Sequence, residues 1–366
     1  MMGQKALDGF DVAVDNKAKL EAKFIIPPFS VMDTRQGYWQ DRKRLWLSLG
    51  IQSELGRDTM LTLNSYEVTQ ENLNYYRNKK RGELTFDMSR GYTEQGKKLV
   101  SRQEADKRSN VTGAPAKPKW ATGTGTTNMA PGTSIFDPVL CELIYKWFCP
   151  NSGHILDPFA GGSVRGIVAC ILGDNYTGVD LSPAQIKANK EQAEAITPNR
   201  QPRWIAGDSY GLDTLLPSGE YYDLVFSCPP YHDLEQYTDD PADLSNMSWD
   251  TFKERYRAII EKCILKLNNN RFACFVVSEI RGGEGAYKGL VPYTIDCFTK
   301  GGVRYYNEMI LVNVVGSLPI RIAGQFNYRK IGRTHQNILV FYKGNPDMIP
   351  RYFKDIDTSL DFAGNE

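Results

Sequence analysis

The chain has 366 residues and 41% apolar content, ordinary for a globular protein of two or three domains with a sizeable core. Lys+Arg and Asp+Glu nearly cancel, at 44 and 43, which excludes a uniformly basic surface and leaves nucleic-acid contact to local patches. No apolar run reaches the roughly 18–20 residues of a membrane span and the start lacks a signal-peptide core. The seven cysteines lie mostly in apolar runs without a CxxC pair, which predicts reduced core thiols in a cytoplasmic protein without a zinc site or membrane association.

Residues 1–130 read as a less regular region. Phe24 to Ile26, before Pro27-Pro28, has the pattern of a short strand. The segment up to Ile51 gathers Trp39, Arg42, Lys43, Arg44 and Trp46. Basic residues interleaved with tryptophan can hold phosphates and stack on bases, which makes Arg42, Lys43 and Arg44 candidate DNA contacts. The same pattern fits two core tryptophans with solvated neighbours. From Tyr75 to Lys119 there are twelve Lys/Arg against five Asp/Glu, a balance of +7 (12−5), with few aliphatics. This basic arm reads equally as a nucleic-acid contact or a solvated linker. Ala121 to Pro131, rich in Gly and Thr, is the expected entry to a second domain over 131–345.

That domain opens on a helix: Val139, Leu140, Leu143, Ile144, Trp147 and Phe148 recur at helical spacing, Asp137-Pro138 starts it and Pro150 stops it. His154-Ile-Leu-Asp-Pro-Phe-Ala-Gly-Gly-Ser163 is then an apolar run ending in an acid and a glycine turn, followed by the helical pattern Val164 to Leu172. Glycines at a strand-to-helix turn let a ligand approach the backbone. Tyr176 to Asp180 is a strand ending in an acid, with Ser182 capping a helix from Pro183 to about Ile196, and Arg203 to Ser209 repeats the arrangement. Three successive strands thus deliver Asp157, Asp180 and Asp208 to one edge of a parallel sheet, where open α/β folds bind ligands. An acid 23 residues after the first suits a ribose diol. GxGxxG, the mark of dinucleotide oxidoreductases, is absent.

Asp223-Leu-Val-Phe-Ser-Cys-Pro-Pro-Tyr231 is the stretch that decides between chemistries. Leu224 to Phe226 make a short buried strand, and two prolines end it in a stiff loop whose carbonyls have no ladder to enter. Tyr231 adds a flat aromatic face, so the loop suits a planar base bearing an amino group. Beyond it, residues 232–250 hold six Asp/Glu and no Lys/Arg, which predicts a solvated loop with helix caps. A helix is expected over Trp249 to Leu267, a buried strand over Arg271 to Glu279, a short helix over Pro292 to Lys300, and two last strands over Arg304 to Val315 and Gln336 to Tyr342. The connection Ser317 to His335 holds Arg321, Arg329, Lys330 and Arg333 without an acid and is a second candidate DNA contact. Residues 346–366 form a tail without a signal.

Together these motifs resemble the S-adenosylmethionine-dependent amino-methyltransferases of DNA, whose first motif reads DPFxGxG and whose fourth reads (D/N/S)PP(Y/F/W). The resemblance covers roughly Thr133 to Gly344, and the order, with the helix before the DPF turn and the rest uninterrupted, is similar to the gamma group. It implies an α/β, Rossmann-like methyltransferase fold: a seven-stranded, mostly parallel sheet with helices on both faces, the last two strands paired and one antiparallel. By the resemblance the cofactor, S-adenosyl-L-methionine, lies on Phe136, on Asp157, Pro158, Phe159, Ala160, Gly161 and Gly162, on Asp180 at the ribose with Leu181 beside it, and on Asp208 and Ser209 at the adenine. The catalytic loop is Ser227, Cys228, Pro229, Pro230 and Tyr231, and the partner is double-stranded DNA. Target recognition would fall to residues 1–130 and the basic connection, a departure from gamma enzymes, in which it follows the core.

An aromatic amine is a poor nucleophile until acceptors hold its hydrogens and help it pyramidalise. In the family those acceptors are the first side chain of the fourth motif and the carbonyl of its first proline, here Cys228 and Pro229, and Tyr231 would stack on the flipped base. Cys228 departs from the pattern: adenine-N6 enzymes place Asp or Asn there and cytosine-N4 enzymes Ser. Near-isosteric with Ser and preceded by Ser227, it favours cytosine N4, with adenine N6 next. Three alternatives stay open: C5 methylation of a pyrimidine with Cys228 as nucleophile, methylation of RNA or protein glutamine, and a non-catalytic DNA-binding protein of the same fold. No restriction-nuclease motif accompanies the domain, which favours a modifying enzyme that stands alone over a fused restriction-modification protein.

Overall fold

The computed structural model describes residues 26–52, 86–87, 92–93, 136–232, 240–315, 318, 322 and 325–353. The chain divides into two compact units, one of residues 1–58, 134–313 and 335–366 and the other of 59–133 and 314–334. In chain order the strands are β1 (Val31–Asp33), β2 (Phe86–Asp87), β3 (Tyr92–Thr93), β4 (His154–Asp157), β5 (Asn175–Asp180), β6 (Arg203–Ala206), β7 (Tyr222–Ser227), β8 (Leu267–Val277), β9 (Arg304–Val312) and β10 (His335–Lys343). The main helices are α1 (Gly37–Leu47), α2 (Pro138–Phe148), α3 (Val164–Leu172), α4 (Pro183–Ile196), α5 (Trp249–Lys266) and α6 (Leu290–Lys300).

Among the described residues the first unit is built on one eight-stranded sheet of order β1-β9-β10-β8-β7-β4-β5-β6. Strands β6, β5, β4, β7 and β8 run parallel, β10 is antiparallel to both β8 and β9, and β1 is parallel to β9. This is the α/β, Rossmann-like methyltransferase arrangement expected from the sequence, with an added edge strand. The chain runs outward from β4 through β5 to β6 and then returns to β7 on the other side of β4. That reversal opens a crevice at the carboxyl ends of β4 and β7, the usual place for a ligand in such folds.

The sheet is buried on both faces, and the strands show it in their alternation. Leu224, Phe226, Phe272, Cys274, Val276, Ile338 and Val340 join one core with α2 and α3, while Val225, Ala273, Phe275, Leu339 and Phe341 join the other with α5 and α6. Phe226 is fully buried and meets the rings of Phe136 and Tyr145 edge-on at 5.7 and 5.5 Å. Truncating such a residue costs about 3–5 kcal/mol. The helices start where the sequence supplies caps: Asp137 accepts from the Val139 N–H at 3.0 Å, Ser182 from Gln185 at 3.2 Å and Ser248 from Thr251 at 3.2 Å.

The eighth strand departs from the seven expected. Of the strand foreseen at Phe24 to Ile26, only Ile26 is described, as a buried residue outside any strand; the chain joins the sheet beyond Pro27-Pro28, at Val31–Asp33, paired with Ile310 to Val312. Prolines cannot donate to a ladder, so pairing begins after them. Strand β8 starts at Leu267, directly at the end of α5, and β9 stops at Val312, short of Val315.

Helix α1 corrects one reading of the basic cluster. Trp39 and Trp46 are fully buried, and Arg42 is 4% exposed with its guanidinium forked onto Glu142 of α2 at 2.9 and 2.7 Å. Trp46 Nε1 and Lys146 Nζ donate to the same carboxylate at 2.7 and 2.6 Å. Burial pushes the Glu142 carboxyl up, but the bonds from Arg42 and the charge of Lys146 outweigh it and hold the group below the ordinary range. Arg42 therefore has no face to offer a phosphate. Lys43 pairs with Asp137 at 3.0 Å, and the exposed Arg44 pairs with Asp41.

In the second unit, β2 and β3 form a two-stranded antiparallel ladder, Phe86 opposite Thr93 and Asp87 opposite Tyr92. Residues Phe326–Tyr328 make a single 3₁₀ turn closed by Arg329 in the left-handed region, at φ 55°. Phe326 and Tyr328 are exposed, with Arg329 and Lys330 above their rings at 5.4 and 5.9 Å. Arg321 and the arm from Tyr75 to Lys119, apart from four strand residues, lie outside the described residues. Among the described residues no helix is long and apolar enough to cross a membrane.

Candidate active site

The glycine turn after β4 is organised by Asp157, which is fully buried. Its Oδ1 accepts from Ser227 Oγ at 2.6 Å and from the Phe159 N–H at 3.1 Å; its Oδ2 accepts from Tyr176 Oη at 2.7 Å and Arg165 Nε at 2.5 Å. Arg165 also donates to the carbonyls of Phe159 and Ala160 at 2.6 and 2.9 Å, and its guanidinium lies 4.5 Å from the ring of Phe136. Burial alone would weaken the charge on Arg165; Asp157 beside it outweighs that and holds the guanidinium protonated. Burial and Asp157 together push the Tyr176 hydroxyl far up, so it stays a donor. Asp157, expected as a cofactor contact, is thus a buried hub with both oxygens occupied. The reason is Arg165, a lone cation in the otherwise apolar α3.

The turn itself needs its glycines. Gly161 has φ 51°, its N–H donates to Asp180 Oδ2 at 2.8 Å and its carbonyl accepts from Asn189 of α4 at 2.7 Å. Beneath it, a Cβ on Gly178 would stand 2.7 Å from the Tyr176 ring and 2.8 Å from the Ala160 Cβ. Asp180 Oδ1 accepts from the Ser182 N–H at 2.9 Å, so the carboxylate ties the turn after β4 to the end of β5. Leu181 is half-buried next to it, and Pro158 and Gly162 are buried within the turn.

After β6, Ser209 Oγ donates to the Pro158 carbonyl at 2.5 Å and so ties the third acid's loop to the glycine turn. Asp208 is 34% exposed; its Oδ1 accepts from the Tyr210 N–H at 2.9 Å and its Oδ2 is paired with Arg255 of α5. After β7, Ser227 is fully buried on Asp157, Pro229 is buried, and Cys228, Pro230 and Tyr231 are half-buried. Cys228 Sγ lies 3.5 Å from Tyr231 Oη, which accepts from Gln336 Nε2 of β10 at 2.7 Å. His232 follows in the left-handed region at φ 49°, with its imidazole between the Met247 carbonyl at 2.9 Å and Lys288 Nζ at 2.8 Å.

The structure therefore brings together the DPF turn, Asp180, Asp208 with Ser209, and the Ser-Cys-Pro-Pro-Tyr loop on the carboxyl edge of one sheet. It sets Arg42, Lys43 and Arg44 on α1, each paired with a carboxylate, and Arg329, Lys330 and Arg333 in the second unit. Sequence reasoning missed Arg165, Tyr176, Arg255 and Gln336. A charge inside the apolar run of α3 was the available signal for Arg165; pairing of β10 beside β8 had to be known before Gln336 could be placed at Tyr231.

No protein-family profile and no curated protein matches the sequence. Among solved structures, TrmN from Thermus thermophilus aligns at 14% identity over 57% of this chain and 49% of its own, with a TM-score of 0.39. The matched part thus spans about half of the TrmN chain. A methyltransferase from Pyrococcus furiosus aligns at 14% identity over 59% of this chain and 88% of its own, with a TM-score of 0.39. A putative RNA methyltransferase from Pyrococcus horikoshii aligns at 13% identity over 57% and 83%, with a TM-score of 0.36. What fixes the fold class here is the strand order and register of the sheet itself.

Proposed function

We propose that the chain is an S-adenosylmethionine-dependent methyltransferase acting on the exocyclic amino group of a base flipped from double-stranded DNA, with cytosine N4 as the target atom. The observation that carries the reading is the 2.6 Å bond from Ser227 to Asp157, which joins the glycine turn to the double-proline loop on one edge of the sheet. The donor set there suits the cofactor. Asp180, half-buried, can accept from a ribose diol, and Asp208, 34% exposed, from an amino group. Gly161, at φ 51°, keeps a Cβ away from the turn that would face the cofactor. When bound, S-adenosylmethionine supplies an electrophilic methyl group.

The chain's own residues do the rest. The Pro229 carbonyl and Cys228 Sγ would accept the amine's hydrogens, which helps the nitrogen pyramidalise and withdraws its lone pair from conjugation with the ring. Tyr231, tethered through its hydroxyl to Gln336, presents its ring to the base. After transfer the thioether S-adenosylhomocysteine would be the leaving group and the amine's surplus proton would pass to solvent. In the second unit, Arg329 and Lys330 with the exposed Phe326 and Tyr328 supply the cations and stacking faces that suit nucleic acid.

The experiment is to incubate the protein with S-adenosylmethionine and duplex DNA, digest to nucleosides and identify the product by mass and chromatography. N4-methylcytosine is expected. N6-methyladenine would move the target atom, 5-methylcytosine would overturn the amino chemistry, and transfer only to RNA or protein would replace DNA as the substrate.

A further inference from the structure

We infer that Arg255 is a determinant of cofactor specificity, placed to read the ring nitrogen beside the exocyclic amine of the adenine while Asp208 takes the amine itself. This rests on the cofactor reading above. Arg255 stands on the first half of α5, and its terminal amino group is paired with Asp208 Oδ2 at the carboxyl end of β6. The guanidinium carbon lies over Tyr210, 4.4 Å from the ring centroid, so an aromatic contact as well as charge holds the fork.

One further fact makes this more than a surface ion pair. The Arg255 Nε–H is buried with no acceptor among the described residues. Such a donor costs free energy until an acceptor is supplied. The backbone N–H that directly follows Asp208 is that of Ser209, a second donor in the same loop, and discrimination retained by Arg255→Met would assign the ring nitrogen to it and overturn the inference. An acceptor carboxylate next to a donor guanidinium is the complement of adenine's amino group and neighbouring N1. It mismatches hypoxanthine, whose N1 is a donor and whose C6 bears a carbonyl. Arg255 is 26% exposed, so a ligand can reach the outer part of the fork.

The test is calorimetric binding of S-adenosylhomocysteine and of its 1-deaza analogue, in which N1 is replaced by C–H, to the unaltered protein and to Arg255→Met. The unaltered protein is expected to bind the natural product about tenfold more tightly than the analogue, and Arg255→Met to bind the two alike. Equal binding of the two ligands by the unaltered protein overturns the inference, whether or not the variant folds. Tighter binding of S-adenosylhomocysteine by Arg255→Met also overturns it, since Arg255 would then be competing for Asp208. If the unaltered protein binds neither ligand, the cofactor reading falls and takes this inference with it; binding without discrimination sinks the inference alone.

Discussion

Ser227 Oγ, the last side chain of β7, donates a 2.6 Å hydrogen bond to Asp157 Oδ1, the last of β4. The two residues are 70 apart in sequence, both are fully buried, and each opens one of the two loops that define the site. The bond makes the separation of those loops a property of the core. Ser227→Ala leaves Asp157 a donor short in a dry setting and is expected to cost about 1–3 kcal/mol. Urea unfolding should report a lower midpoint with an unchanged slope. Methyl transfer should fall at temperatures where the variant is still folded; full stability and activity would remove the bond from the account.

Cys228 separates amine chemistry from covalent chemistry. Cys228→Ser keeps an acceptor at the same place and is expected to retain activity within about tenfold, while Cys228→Ala should lose more. A nucleophilic thiolate predicts the opposite for Ser, near-complete loss, because an alcohol at neutral pH does not replace it. Steady-state transfer of labelled methyl groups distinguishes the two.

Gln336 and Tyr231 meet across the sheet at 2.7 Å. Gln336→Leu removes the bond from β10 to the Tyr231 hydroxyl and should lower kcat/KM for the nucleic acid by about tenfold through lost positioning. The Kd for S-adenosylhomocysteine should not move, which distinguishes a positioning role from general damage.

Asp174 makes stability depend on pH. Burial pushes its carboxyl up to about 7 from the ordinary 3.8, against the Gly153 N–H that donates to it at 3.1 Å. The folded state then binds a proton that the unfolded chain has released, so stability declines as pH rises from about 4 to about 7. Asp174→Asn keeps the acceptor and removes the titration. It should flatten that decline and raise stability at pH 8 by roughly 2–4 kcal/mol, read from denaturation midpoints across pH.

Glu142 and Arg42 test the fate of the basic cluster. Glu142→Gln leaves a buried guanidinium without its counter-charge and should cost about 3–5 kcal/mol, whereas Arg44→Ala, at an exposed pair with Asp41, should cost less than about 1 kcal/mol. If Arg42→Ala weakened DNA binding at unchanged stability, Arg42 would be a phosphate contact after all.

What the sequence makes legible is whatever is local. The caps Asp137, Ser182 and Ser248 mark helix starts, the unbroken apolar run Phe272 to Val277 marks a strand buried on both faces, and three strand-ending acids mark a ligand edge. What it hides is pairing across distance. Whether Asp157 faces a ligand or a buried cation depends on Arg165 turning back onto it from α3, and whether Arg42 faces phosphate or Glu142 depends on how α1 packs against α2. Both cations look available in sequence because a charge shows its sign there and not its partner. The strand at Val31–Asp33 was hidden for a similar reason: three residues carry no periodicity, and β9 decides the pairing.

The most direct test of the account is a structure of the protein with S-adenosylhomocysteine bound. The account predicts the ligand's sulfur over the Gly161 turn and facing the Pro229 carbonyl and Cys228 Sγ, with its ribose on Asp180 and the amino edge of its adenine on the Asp208–Arg255 pair. A sulfur directed away from the double-proline loop, or a ligand bound on another edge of the sheet, would contradict it.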